Sequence, residues 1–295
     1  MHKFLRAIGF SKLRDKRDLK ELIMNTIQTA DTRSYVTKDS DNITAEFCKD
    51  FTDGIGLCVV GEFDEEDKFS YDYYYPYLRG TTISSNSDIT VERHASDESY
   101  AGVCDEIRVG VTLIFYLQNM IPYIKLANED KFPVKGTTLT LSALSLKGQI
   151  IMPIYKTEDE EEKLKSRLIK RNKLITAAKN GDESAIEDLT LDDMDLYTTI
   201  SKKIKHEDVF SLVDSYFMPY GVECDQYSIM GEIKEVSKKR NRITGENIYV
   251  MSVKCNELVL DVCINDQDLL GEPMPGRRFK GTIWLQGYIN YPHET

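Results

Sequence analysis

Apolar residues change their period along this chain, and the changes mark its elements. Between about Asp15 and Thr29, Leu19, Leu22, Ile23 and Ile27 recur at three- and four-residue spacing. Asp15 and Asp18 stand at the end where a helix favours negative charge, so this stretch is predicted helical. After Asp31 the period falls to two. Strands are predicted at Ser34–Lys38, Ile43–Lys49, Ile55–Phe63, Phe69–Tyr77, Ile89–Arg93, Val109–Gln118, Thr137–Ser145 and Gln149–Tyr155. Lys147-Gly148 reads as a hairpin turn between the last two, and Val109–Gln118 fits a buried helix as well as a strand.

The pattern shifts at residue 157. TEDEEEKLKSRLIKRNK (157–173) passes from acidic to basic on a helical background, the order that suits the helix dipole. This helix is predicted to stop at Asn180-Gly181, where glycine supplies a left-handed cap. Asp182 then caps a short helix, and Thr190–Asp193 resembles a capping box opening a third that runs to about Ile204. Beyond His206, strands are predicted at 208–217 (with helix as the alternative), Tyr227–Val236, Ile248–Lys254, Leu258–Ile264 and Thr282–Tyr291. Asn256-Glu257 reads as a hairpin turn. The sum is an α+β fold in three parts: an N-terminal antiparallel-sheet domain with a leading helix (1–156), a helical connector (157–206), and a small C-terminal β-barrel of OB-like type (207–295). A four-stranded meander is the rival for the last part.

Composition bears on partners more than on fold. Apolar residues make up 41% and charged residues 29%, as in ordinary soluble domains. A net charge of −11 disfavours nucleic acid for the chain as a whole. Residues 221–295 nevertheless carry 9 Lys/Arg against 11 Asp/Glu, which leaves room for a local basic face. No apolar run approaches the ~20 residues of a membrane helix, and MHKFLRAIGFSKLRDKRDL becomes charged too early for a signal segment. A cytosolic location without a membrane partner is expected. Cysteines 48, 58, 104, 224, 255 and 263 form no C-x-x-C pair, so six reduced thiols, no metal and no cofactor are expected.

Two stretches are candidates for binding. In GEPMPGRRFKGTIWLQG (271–287), Pro273 and Pro275 stiffen a loop, and Gly281 and Gly287 permit sharp bends in the strand after it. Arg277, Arg278 and Lys280 make one basic group there; Lys238, Lys239, Arg240 and Arg242 make another. With Trp284, Tyr249, Tyr288 and Tyr291 as stacking surfaces, they match what single-strand nucleic-acid binders use. The plainer reading pairs an arginine with Glu272 or Asp268 to order the loop. In FSYDYYYPYLRG (69–80), Tyr71, Tyr73, Tyr75 and Tyr77 are expected on one strand face, packed on a helix or, if exposed, offering an interaction surface.

Catalytic chemistry is scarce. His94 and Cys104 share a stretch with no nucleophile motif. His206 reads as part of a polar connection, and Glu158–Glu162 as a solvated helix start. DGIGLCVVGE (53–62) misses the dinucleotide-binding spacing.

MHKFLRAIGFSKL, AAKNGDESAIEDLTLDDMDLY and GEPMPGRRFKGTIWLQG together resemble one bacterial family of unknown function, across nearly the whole chain. The resemblance implies a cytosolic bacterial protein of fixed architecture, and no activity, cofactor or catalytic residue. The expected function is a non-enzymatic binding or regulatory protein with a macromolecular partner, most readily a protein. The alternatives are single-strand nucleic-acid binding through the barrel, and an enzyme with a site between domains.

Overall fold

Long two-faced strands dominate this chain, and they leave two apolar cores. The computed structural model describes residues 1–37, 43–93, 99–154, 158–203 and 213–292. Residues 3–8 form a short 3-10 helix that buries Phe4, Leu5, Ala7 and Ile8. It ends at Gly9, whose φ of 91° suits only glycine, and a Cβ there would stand 2.9 Å from that of Asn241. Helix α1 (Lys16–Gln28) follows, burying Leu22, Ile23 and Thr26.

Strands β1 (Thr32–Thr37), β2 (Ile43–Thr52), β3 (Ile55–Phe63) and β4 (Phe69–Leu78) make an antiparallel sheet in chain order. The chain then gives β5 (Ile89–Arg93), β6 (Tyr100–Glu106), β7 (Val111–Leu117), α2 (Met120–Asn128) and β8 (Thr138–Ile151). Helices α3 (Glu158–Lys179) and α4 (Glu183–Lys203) form a hairpin. Six strands close the chain: β9 (Tyr216–Pro219), β10 (Gln226–Arg240), β11 (Asn247–Cys255), β12 (Leu258–Asn265), β13 (Leu269–Leu270) and β14 (Arg278–Asn290).

The second sheet is mixed and joins β5–β8 to β9–β14. Strand β8 pairs in parallel with β12 on one edge and antiparallel with β14 on the other. Strand β14 also pairs with β10, β10 with β11, and β11 with β12. Following the pairings from β8 through β12, β11, β10 and β14 therefore returns to β8. One core lies along these five strands, with Ala143, Ile229, Val253, Val262, Phe279 and Leu285 all at 0% exposure. Burial of each large apolar side chain of this kind stabilises by about 2 kcal/mol. The other core gathers the 3-10 helix, α1, the four-stranded sheet, α2, and outward residues of the mixed sheet such as Leu144, Ile248, Cys263 and Trp284.

Several expectations change. Lys147-Gly148 makes no turn, because β8 runs through it unbroken; the missing Cβ at Gly148 admits the Phe279 ring, whose Cε2 would lie 2.4 Å from it. No third helix starts at Thr190, whose hydroxyl donates to the Ile186 carbonyl at 2.8 Å inside α4. The mixed sheet takes strands from both sides of the connector, so the strands are not shared out between residues 1–156 and 207–295 as expected. Most of 208–217 lies outside the described residues. Strand β6 and helix α2 were not predicted. Pro122, in the first turn of α2, disguised as a loop the apolar spacing of Met120, Ile121 and Ile124.

Candidate functional site

The structure engages the predicted basic residues within the chain. Arg278 is buried; its Nε and Nη2 donate to the Met152 carbonyl at 3.0 Å each, and its Nη1 to the Val213 carbonyl at 2.8 Å. It thus ties both ends of the helical excursion to the start of β14. Arg277 donates to the Glu272 carbonyl at 2.7 Å and stands 3.7 Å from the Glu272 carboxylate. Lys280 is half-buried on β14, and Tyr288 is exposed. Asp268 instead takes a bidentate bond from Arg6, at 2.5 and 2.7 Å.

The second basic group sits at the tip of the β10–β11 hairpin. Lys238 bonds Asp266 at 3.0 Å and lies over the Tyr249 ring. Lys239 donates to the Asp53 carbonyl, Arg240 to the Gly245 carbonyl, and Arg242 pairs with Asp53 at 2.8 Å. Glu232 of β10 is the register partner of Arg278, which puts the two groups about 20 Å apart along the strand. Trp284 lends no free face to a base: it is buried, its Nε1 donates to Asp225 at 2.6 Å, and Phe4 stacks on it at 5.2 Å.

The tyrosine strand is buried over its second half, Tyr75–Leu78, and exposed at Ser70–Asp72. Tyr75 and Tyr77 are buried, and Tyr73 donates to the Met120 sulfur of α2. Tyr77 bonds Asp50. A bulge places Val60 opposite Tyr73 but Gly61 opposite Tyr71, so Asp72 is the extra residue. Tyr71 thereby leaves the shared face and is 41% exposed, while Asp72 joins Thr44, Val60 and Glu62 around a recess of about 10 Å³.

Beneath these rings lies a buried polar junction. Gln118 donates to the Leu78 carbonyl and to the Gln286 side chain, both at 2.9 Å, and Gln286 donates to the Pro76 carbonyl at 2.8 Å. The junction thereby holds the two sheets together. Tyr75 stands 2.7 Å from the Glu46 carboxyl and 3.0 Å from the Gln118 carbonyl. Its hydroxyl has one proton to share between these two acceptors. Burial lifts the Glu46 carboxyl to about 7, against the opposing hydrogen bond from Tyr75 and the charge of Arg79. Beside Glu46, Cys48 and Cys58 form a disulfide across β2 and β3. This corrects the expectation of six free thiols. The two cysteines are ten residues apart in sequence, and the short β2–β3 turn sets them directly opposite each other.

A larger recess of about 370 Å³ is lined by Ile83, Ser84, Ser85, Asn86, Ser87, Glu106 and Arg108. Its charges satisfy each other. Burial opposes the charge on Glu106, yet hydrogen bonds from Arg108 and Ser85 hold its carboxyl below the usual range. Arg108 bonds both Glu106 oxygens, at 2.7 and 2.6 Å, and the carbonyls of Ser84 and Glu257. Cys104 lies behind, buried, with its thiol pushed up by desolvation, the opposite of an activated nucleophile. His94 and His206 lie outside the described residues.

The model of the DUF3881 family, whose description reads "Domain of unknown function, E. rectale Gene description", matches residues 5–287. The chain belongs to the DUF3881 family. No curated protein and no solved structure matches it. The DUF3881 match runs from the 3-10 helix through both α-helices of the hairpin into β14. Among the described residues, no helix is long and apolar enough to cross a membrane.

Among the described residues, the hairpin contributes to neither core. Gly181 caps α3 with φ 88°, and the Asp182 carboxylate accepts from the backbone of Ser184 and Ala185. The two helices lie against each other. Ala185 alone is buried among the hairpin side chains described, and Ile169, Ile186 and Leu191 are 58%, 49% and 56% exposed. The candidate surface is thus on helices that the sequence marked only by their charge run. The missed signal was apolar residues scattered around both helices, more than a two-helix contact can cover.

Proposed function

We propose that this chain is a non-catalytic binding protein whose α3–α4 hairpin docks a protein partner. The exposure of Ile169, Ile186 and Leu191 carries this reading, since apolar side chains left in water on a two-helix hairpin are stabilised by a partner that covers them. The partner is expected to offer an apolar groove with a basic rim, to complement exposed Glu183, Glu187 and Asp188 on α4. A cytosolic bacterial setting is part of the proposal.

We also read the five-strand ring as an OB-like barrel entered one strand late. Strands β10, β11 and β12 match the opening meander of an OB-fold, β14 its fourth strand, and β8 its fifth. OB-folds bind nucleic acid over their second and third strands, here β11 and β12. On those strands Cys263 donates to the Ala7 carbonyl, Asn265 to that of Arg6, and Ile248 is buried. The 3-10 helix thus covers that face, which favours the protein-docking reading.

A photo-crosslinking residue at Ile186 or Leu191 should trap a discrete protein in cells, and one at Tyr288 should not. Equal trapping at all three positions would end the proposal. Nucleic acid trapped at Lys238, with affinity falling steeply in salt, would replace it with the nucleic-acid alternative.

A further inference from the structure

The buried junction sets a carboxylate beside the two sulfurs of the Cys48–Cys58 disulfide. Cys48 and Cys58 are direct register partners, and Glu46 lies two residues before Cys48 on the same strand face. A carboxylate oxygen of Glu46 and the two sulfurs lie within 4.8 Å of one another, and all three residues are buried. We infer that, once the Cys48–Cys58 bond is reduced, these three side chains form a site for a thiophilic divalent cation of the zinc type, with a fourth position open. The inference goes beyond the docking reading and does not depend on it.

Geometry supports it first. Two zinc–sulfur bonds of ~2.3 Å at a tetrahedral angle need sulfurs about 3.8 Å apart. Cysteines able to form a disulfide hold their Cβ atoms at about that separation, so side-by-side thiolates reach one ion with the backbone in place. The donor types come second. Two thiolates and one carboxylate select zinc-class ions over magnesium or calcium, which take oxygen ligands. A path comes third. The small recess lined by Glu62 and Asp72 also touches Val60, the register partner of Glu46, and Thr44, which precedes Glu46 on the same face. Among the described residues, Thr44 Oγ1 is buried with no hydrogen-bond partner. Carboxylates at such a mouth raise the local concentration of cations.

The chemistry balances with one co-reactant. A small dithiol delivers two electrons and two protons to the disulfide, giving two thiols and itself becoming a disulfide. Metal binding then releases the thiol protons and the Glu46 proton to solvent. Disulfide and metal each need both sulfurs, so only the reduced protein takes the ion.

The test uses the full chain, reduced under anaerobic conditions with a phosphine that is then removed, and titrated with cobalt(II) alone. One cobalt per chain is expected, with a sulfur-to-metal charge-transfer band that added zinc abolishes. Glu46→Gln should keep the band and weaken binding at least tenfold. Cys48→Ser with Cys58→Ser should show no band. Because that pair could disturb folding, the disulfide-bonded wild type serves as a second control and should not bind. A reduced wild type with both thiols titratable and no charge-transfer band overturns the inference. A band that persists in the double variant, or a chain that unfolds on reduction, overturns it equally.

Discussion

Glu46 and Arg278 are buried ionisable residues with opposite consequences. The folded Glu46 carboxyl, at about 7, keeps a proton that the unfolded chain releases near 4.5. Its contribution is therefore fully present below pH 4.5 and is lost as pH rises through 7, a swing on the order of 3 kcal/mol. In disulfide-bonded, chelator-treated protein, Glu46→Gln should gain on the wild type between pH 5 and pH 8 in urea unfolding. A gap that stays constant with pH would contradict a buried neutral carboxyl. Arg278 keeps its charge and feeds two carbonyls. Arg278→Gln should cost on the order of 2 kcal/mol, whereas Arg277→Gln, on an exposed loop partner, should cost under about 0.5 kcal/mol. Added phosphate or sulfate should alter neither value in thermal melts. Stabilisation of the wild type by those anions, absent in both variants, would restore the arginines as a binding site. Nothing in the sequence distinguishes Arg277 from Arg278, because the distinction comes from carbonyls more than 60 residues away.

Strand periodicity was legible where it was local. Ile55–Phe63 was read to its ends, and Asn256-Glu257 turns through positive φ at both residues, 47° and 70°. Misreadings arose where a distant partner decided the outcome. Gly148 looked like a turn residue because its reason, the Phe279 ring, lies on another strand. The bulge at Asp72, which a strictly alternating pattern cannot show, removed Tyr71 from the tyrosine face. The hairpin was legible as helix but not as surface. Since one guanidinium reaches both Met152 and Val213, residues 155–212 should be replaceable by about four glycine and serine residues. The shortened chain is expected to fold with near-native stability in thermal melts and to lose the crosslinks at α4. Insolubility of the core without its hairpin would mean that the helices cover it.

At the scale of the whole molecule, the mixed sheet takes strands from before and after the α3–α4 hairpin. Limited proteolysis should cut first within residues 158–203, and the nicked protein should elute from size exclusion as one species, because β8 stays zipped to β12 and β14. Release of a free C-terminal fragment under native conditions would restore the two-domain reading. The charge run at 157–173 truly marked a break in the pattern, but no local feature reveals that β8 belongs with strands more than 100 residues later. That ring order also bears on how the protein is made. On the ribosome, β8 emerges long before either of its neighbours, β12 and β14. Its two open edges must wait for more than a hundred further residues to be translated. The nascent chain therefore carries an apolar, unpaired strand for most of the synthesis of its second half, the kind of late, non-local closure that slows folding and invites chaperones.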